Sequence, residues 1–394
     1  MTGDIQRDYE LIESTAHLAQ FMEKISACPV LAVDTESNSL HNYVERVSLI
    51  QLTGREANGA LHHAILDPLA DADVQLLGPM LADPAVVVIF HGADYDVVSL
   101  KRDYDFAITN VYDTMIAARA AGMERFGLAD LVNGYFGVVL NKKYQKHDWA
   151  SRPISQEALD YAHLDTRYLP EIMDLLREKV ASLGREDMVE EECRLVEDRT
   201  WVARAPDGNA FISMKGASRL PEKSQRVLRE VYRFRERLAA ARDWPPFKIM
   251  GNEAMLNIAR TMPADARALQ QAIGGHARLL QRHGPELLDA IATGLVSEEE
   301  LPRPEKKGGG RRFSREDDLL FNHLREWRNR QAATEQVEPA VVMNNQALQE
   351  IAARRPLTAE AVEQVPGIRR WQVRRYAGEL AGQVAAFQDV PAGG

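Results

Sequence analysis

The second half of this chain is written twice. From about Leu220 onward, residues recur at a constant offset of 93 with no gap. Arg235, Pro246, Asn252, Ile258, Pro263 and Gly274 reappear as Arg328, Pro339, Asn345, Ile351, Pro356 and Gly367, and further identities hold the same register. Self-similarity at a fixed period means one supersecondary unit used more than once, here a unit of about 75 residues. Strand-like runs stop before the repeat begins, so the unit is expected to be all-helical. Between the copies, Leu301–Arg315 carries Pro302, Pro304 and Gly308–Gly310, the composition of a linker. Its Lys306, Lys307, Arg311 and Arg312 suit a phosphate contact or simply a soluble connection.

The first half reads differently. Short apolar runs at Pro29–Asp34, Arg46–Leu52, His62–Leu66 and Ala85–His91 are strand-like, and helical spacing follows around Asp73–Leu81, Tyr95–Arg102, Thr114–Ala121 and Ser155–Lys179. Ser155 has the position of a helix N-cap. This alternation predicts an α/β domain with a mixed sheet and flanking helices. Charge divides at the same place: residues 1–200 hold 18 Lys/Arg against 34 Asp/Glu, and residues 201–394 hold 30 against 24. An acidic first half and a basic second half suggest separate tasks. Cys28 and Cys193 cannot build a disulfide framework or a cysteine zinc site. No apolar run reaches the roughly 18–20 residues of a membrane span, and Met1–Glu10 lacks a secretory pattern, so a cytoplasmic protein with no membrane partner is expected. No Gly-x-x-x-x-Gly-Lys-Ser/Thr phosphate loop is present, which excludes a helicase motor.

Chemistry concentrates in three fragments. In Val33-Asp34-Thr35-Glu36, side chains two apart on a strand share a face, so Asp34 and Glu36 present two carboxylates at the end of an apolar run. Oxygen ligands of this kind suit hard cations such as Mg²⁺ or Mn²⁺. Asp96 lies in His91-Gly92-Ala93-Asp94-Tyr95-Asp96, just after another apolar strand, with Asp94 a second acid close by. In Tyr161-Ala162-His163-Leu164-Asp165, residues four apart share a helix face, so Tyr161 and Asp165 project together while His163 points elsewhere. Each fragment alone reads as solvated acids or an ordinary helix tyrosine. Together they describe four carboxylates and a phenol converging on one site.

These motifs resemble the DEDD-type 3′–5′ exonucleases of ribonuclease-H-like fold, in the subclass that places Tyr four residues before the last Asp. The segments Tyr112–Met115, Leu128–Leu131 and Gln145–Pro153 narrow the likeness to the ribonuclease D family, and the repeats resemble the helical HRDC module. The resemblance implies a ribonuclease-H-like exonuclease domain over 1–205, HRDC-type domains over 216–295 and 316–390, and a linker over 296–315. It also implies two-metal hydrolysis. Asp34, Glu36, Asp96 and Asp165 would ligate two Mg²⁺ or Mn²⁺ ions, Tyr161 would orient the attacking water, and nucleoside 5′-monophosphates would be released from RNA, with tRNA precursors as the family's substrate.

RNA is gripped by cations on phosphates and by aromatic stacking. On that basis His91, Gln145, Trp149, Arg152, Arg369, Arg370, Trp371, Arg374 and Arg375 are the expected RNA contacts, with the last five forming a cluster in the second repeat. The first repeat offers Arg229, Arg233, Arg235, Arg237 and Arg242. A DNA exonuclease and a non-catalytic RNA-binding scaffold remain as alternatives. Retention of every carboxylate argues against the scaffold.

Overall fold

The computed structural model describes residues 8–141, 143–202, 209–302 and 313–388. Lys306, Lys307, Arg311 and Arg312 of the linker lie outside the described residues. Two compact units emerge: one combines residues 1–36, 47–201 and 310–394, and the other combines 37–46 with 202–309.

In the first unit six strands form one mixed sheet: β1 (Tyr9–Ser14), β2 (Val30–Ser37), β3 (Val47–Arg55), β4 (Leu61–Asp71), β5 (Val87–Phe90) and β6 (Val111–Asp113), in the order β1-β4-β3-β2-β5-β6. β3 and β4 are antiparallel, whereas β1 runs parallel to β4, and β5 runs parallel to both β2 and β6. The apolar runs read from sequence all become strands. β1 and β6 were not visible there, because β1 is only half-buried and β6 has three residues.

The helices of this half are α1 (Thr15–Ile25), α2 (Gly78–Leu81), α3 (Asp94–Tyr104), α4 (Thr114–Ala120), α5 (Leu128–Phe136), α6 (Gln156–Arg167), α7 (Leu169–Ser182) and α8 (Glu186–Glu197). Ser155 caps α6, its side chain accepting from the Ala158 amide. The single helix expected over Ser155–Lys179 is two. Pro170 has no amide proton to donate, so it occupies the first turn of α7 and the chain breaks at Tyr168.

The repeat is helical, as expected, and its offset holds element by element. The first copy has α9 (Glu222–Arg242), α10 (Pro246–Ile249), α11 (Asn252–Thr261), α12 (Ala266–Ile273) and α13 (Ala277–Val296). The second has α14 (Arg315–Glu335), α15 (Pro339–Val342), α16 (Asn345–Arg354), α17 (Ala359–Glu363) and α18 (Arg370–Gln388). The repeated Arg/Asn pair is structural: Arg235 donates to Asn252 Oδ1 at 2.9 Å, and Arg328 donates to Asn345 Oδ1 at 2.7 Å, both arginines being buried. In the second unit the segment 37–46 belongs with the first copy, where Asp243 accepts from Asn42 Nδ2 at 2.7 Å and from the Tyr43 amide at 3.0 Å.

Copy two is part of the first unit. Leu320, Leu324, Trp327, Leu380 and Val384 lie in the same buried cluster as Leu176, Val180, Met188 and Cys193. Gly122, at φ +76°, sits so close to the Gln336 carbonyl that a Cβ would approach its oxygen to 2.4 Å. Only glycine fits there, on conformation and on space.

Candidate active site

β2 is buried along its apolar residues and opens at its carboxyl end, where Asp34 and Glu36 emerge half-buried. α6 runs past that end, with Ala158, Leu159 and Ala162 packing against Leu49 and Ile65. Tyr161 packs partly buried against the same cluster, and Asp165 follows one turn later on that face. Carboxylate oxygens of Asp34, Glu36 and Asp165 lie within 4.8 Å of one another. Among the described residues none of the three has a cationic partner.

Such a cluster resists ionisation. Burial, and then the neighbouring charges of Asp96, Asp165 and Glu36, push Asp34 well above the usual carboxylate range. Burial first and Asp165 second push Glu36 up to about 9, while burial and Asp96 push Asp165 up to about 7. Three mutually repelling oxygens within reach of one centre are the donor set a hard divalent cation takes. The residues therefore fit such an ion, and Asp34, Glu36 and Asp165 would hold it.

Asp96 stands beside this trio rather than in it. Its Oδ1 accepts two hydrogen bonds from Thr35, one from the amide at 3.0 Å and one from the hydroxyl at 2.6 Å. Burial raises it to about 6 despite these donors. Asp94, the competing acid in the motif, is exposed and pairs with Arg199 at 3.0 Å, so Asp96 is the acid that faces the site.

Tyr161 is half-buried among aromatic rings. Trp149 lies 6.3 Å away, near-parallel at 26°, and Tyr144 lies 5.8 Å away. Burial first, then Asp165, Glu36 and Asp34, raise its phenol, so at neutral pH it is a hydrogen-bond donor and not a base. His163 is turned away, as its helix position implies. Its Nε2 lies 3.1 Å from Asp8 Oδ1, and its ring packs edge-on against His63 at 4.8 Å.

The expected RNA contacts fare less well. Trp149 is 1% exposed and its indole N–H has no partner among the described residues, so it is a wall of the Tyr161 pocket and cannot stack on a base. Arg152 donates to both oxygens of Asp67, at 2.5 and 2.7 Å, and to the carbonyls of Trp149 and Ser48, which makes it a structural brace. His91 faces Thr114, whose hydroxyl donates to the Phe90 carbonyl. That hydroxyl must therefore accept from His91 Nδ1, which fixes the tautomer. Gln145 is exposed.

The cluster in the second repeat is turned against α8. Arg374 reaches Asp187 Oδ2 at 2.5 Å and Arg375 reaches its Oδ1 at 3.0 Å, while Arg369 reaches Glu192 at 3.0 Å. Trp371 is 1% exposed, its amide donating to Glu191 and its indole to Glu192. The backbone amide of Arg370 also donates to Glu191, and only its side chain remains in solvent. Acidic partners on α8 thus engage Arg369, Arg374, Arg375 and the buried Trp371, which counts against these four as an open RNA surface. Sequence reasoning also overlooked Thr35, although its place between two ligands was a signal.

A family model described as 3′-5′ exonuclease matches residues 9–181, and the HRDC domain model matches twice, at 224–291 and 317–384. Ribonuclease D of Gluconacetobacter diazotrophicus is 30% identical over 315 residues, covering 78% of this chain and 77% of that protein. Exosome complex component 10 of Rattus norvegicus is 28% identical over 317 residues, 75% of this chain but 35% of that protein. The chain therefore spans about a third of the length of the exosome component it matches. In three dimensions RNase D of Escherichia coli superposes with a TM-score of 0.70 at 23% identity, over 96% of this chain and 99% of that one, a likeness of fold. Among the described residues no helix is long and apolar enough to cross a membrane. With the acidic trio, Asp96 and Tyr161 at the end of one sheet, and with matches that run through both helical repeats, the chain belongs to the ribonuclease D family.

Proposed function

We propose that this protein is a 3′–5′ exoribonuclease that removes nucleoside 5′-monophosphates one at a time from the 3′ ends of tRNA precursors and other small structured RNAs. The observation that carries this reading is the meeting of Asp34, Glu36 and Asp165 within 4.8 Å, beside a protonated Tyr161. Two divalent cations, Mg²⁺ or Mn²⁺, would supply Lewis acidity and activate water in such a site. The chain's own residues do the rest. Asp34, Glu36 and Asp165 hold positive charge against the scissile phosphate, and Asp96 faces the same site with its Oδ1 engaged by Thr35. Tyr161 donates its proton in a hydrogen bond to the oxygen of the attacking water and fixes its direction. A ring held by Trp149 and Tyr144 loses little freedom in doing so.

Full-length protein incubated with 3′-extended tRNA, single-stranded RNA and single-stranded DNA of matched length, each with Mg²⁺ and with Mn²⁺, tests the reading. A 5′-labelled RNA should shorten in single-nucleotide steps and the soluble product should be 5′-monophosphates. Equal or faster degradation of DNA would make it a DNA exonuclease. RNA bound but left intact under both metals would make it a scaffold.

A further inference from the structure

The face of α6 that carries Tyr161 and Asp165 ends at Tyr168, the residue that caps the helix and that the chemistry does not use. Tyr161, Asp165 and Tyr168 are spaced as i, i+4 and i+7, so they share one side of the helix. All three are half-buried, while Ala162, His163 and Thr166 behind them are buried. At about 1.5 Å per residue, Tyr168 lies about 10 Å from Tyr161 along the axis.

Tyr168 does not stand alone. The ring of Phe136, the last residue of α5, stacks on it at 5.1 Å and 30°, and Tyr135 continues the row 6.3 Å beyond. Phe136 is 36% and Tyr135 37% exposed, an unusual opening for two adjacent aromatics on a helix whose Leu131 and Val132 are fully in the core. Among the described residues the hydroxyl of Tyr135 donates only to the sulfur of Met123, at 3.8 Å. Tyr144, 5.8 Å from Tyr161, carries the exposed Lys143, whose ammonium lies 5.0 Å from the centre of the Tyr144 ring. Two partly open rings thus follow Tyr168 along the face that carries Tyr161, and a cation lies by the Tyr144 ring that flanks Tyr161.

We infer that Tyr135 and Phe136 form a stacking platform for bases of the single-stranded RNA segment upstream of the scissile bond, with Lys143 meeting a phosphate near the 3′ end. This rests on the exoribonuclease reading above. Single strands without sequence preference are held by aromatic faces and by cations along the backbone, since every base has a π-face. Tyr168, on which Phe136 stacks, lies about three stacked nucleotide steps along the helix from Tyr161, at about 3.4 Å per step. A substrate of two nucleotides cannot reach it, and a longer one can.

The test separates binding from chemistry. Full-length wild type, Tyr135→Leu/Phe136→Leu and Tyr135→Trp are compared for affinity to a fluorescein-labelled oligoadenylate of about ten nucleotides, in EDTA, by anisotropy. Leucine keeps the apolar fill and removes the ring faces, and matched thermal unfolding checks the fold. The double variant should bind at least about 10-fold more weakly, the loss expected of one base stack, and Tyr135→Trp should bind as well as or better than wild type. With Mn²⁺ added, KM for the same oligomer should rise by a similar factor at unchanged kcat, and a dinucleotide should be cleaved normally. Unchanged affinity in the double variant overturns the platform, even where wild type degrades RNA. If wild type cleaves no RNA yet the double variant still loses oligoadenylate affinity, the platform stands and the exoribonuclease reading fails.

Discussion

Thr35 donates both its amide and its hydroxyl to one oxygen of Asp96, which is 61 residues away in sequence and on another element. The residue between two metal-ligand candidates thereby fixes the third acid. With Oδ1 occupied, Asp96 has one oxygen to offer a cation or its water. A hydrogen bond to a charged group contributes roughly 1.5–3 kcal/mol. Thr35→Val keeps the β-branched shape and the amide bond, and loses only the hydroxyl. It should lower kcat by about 10-fold or more and raise the Mn²⁺ concentration needed for half-maximal rate, while Thr35→Ser restores both. A Thr35→Val enzyme with normal metal response would mean the amide alone orients Asp96.

The acidic cluster sets a pH dependence of known sign. Glu36 at about 9 and Asp165 at about 7 lie above their unfolded values of about 4. Between these limits the folded protein binds protons that the unfolded chain has released, so metal-free stability falls as pH rises. His63 and His163 have the opposite sign. Burial lowers both to about 4, so they favour the fold above the unfolded histidine value and cost stability as pH falls toward 4. Above pH 7 both rings are neutral in either state, and the carboxylates act alone. The Tm of metal-free protein should therefore drop from pH 7 to pH 9, and the rise in Tm on adding Mn²⁺ should grow over the same interval, because a cation binds the deprotonated ligands.

Asp34→Asn removes one of the repelling charges. It should raise the metal-free Tm at pH 8 while abolishing turnover and weakening the Mn²⁺-induced shift. A variant that loses activity and stability together would instead make Asp34 a structural residue.

Tyr161→Phe keeps the ring between Trp149 and Tyr144 and deletes the donor. We expect kcat to fall about 100-fold, at the lower end of what a positioned proton donor contributes, with RNA affinity nearly unchanged. His163→Ala gives the reverse pattern. Removing a buried ring next to Tyr9 and His63 leaves a cavity that lowers stability by about 2 kcal/mol, and single-turnover rates stay at the wild-type level.

Local spacing made the site legible. Asp34 and Glu36 at i and i+2 on a strand, and Tyr161 and Asp165 at i and i+4 on a helix, are pairs that backbone geometry alone brings together. The repeat was legible for the same reason, since both partners of the buried Arg235–Asn252 pair recur together as Arg328 and Asn345. This pairing argues that the repeated arginine is structural, and it could have removed Arg235 from the RNA-binding candidates. The acidic partners of the Arg369–Arg375 cluster, Asp187, Glu191 and Glu192, were not legible because they lie about 180 residues earlier. A basic cluster in sequence shows charge but not whether an acidic face neutralises it. The break between α6 and α7 was visible in Pro170, which helical periodicity alone overrode.

The docking of the second HRDC repeat leads to a final prediction. Ion pairs outline this contact, but apolar packing dominates it. Arg374, Glu192 and Asp187 are all partly exposed, and pairs in such positions contribute about 1 kcal/mol or less each. Leu320, Leu324, Trp327, Leu380 and Val384 share one buried cluster with Leu176, Val180 and Met188, and fully burying each such side chain is worth about 1.5–3 kcal/mol. Ending the chain at Leu301 therefore opens the core of the exonuclease domain and does not trim a dispensable arm. The truncated protein should show a much lower Tm, bind a hydrophobic dye and lose activity even on a short oligonucleotide. Asp187→Ala in the full chain should lower Tm only slightly, with the difference vanishing at high salt. The two variants separate the contributions. A truncated chain with wild-type Tm and undiminished cleavage of short RNA would show that the repeat is an independent module, and that the shared core does not hold the catalytic domain together.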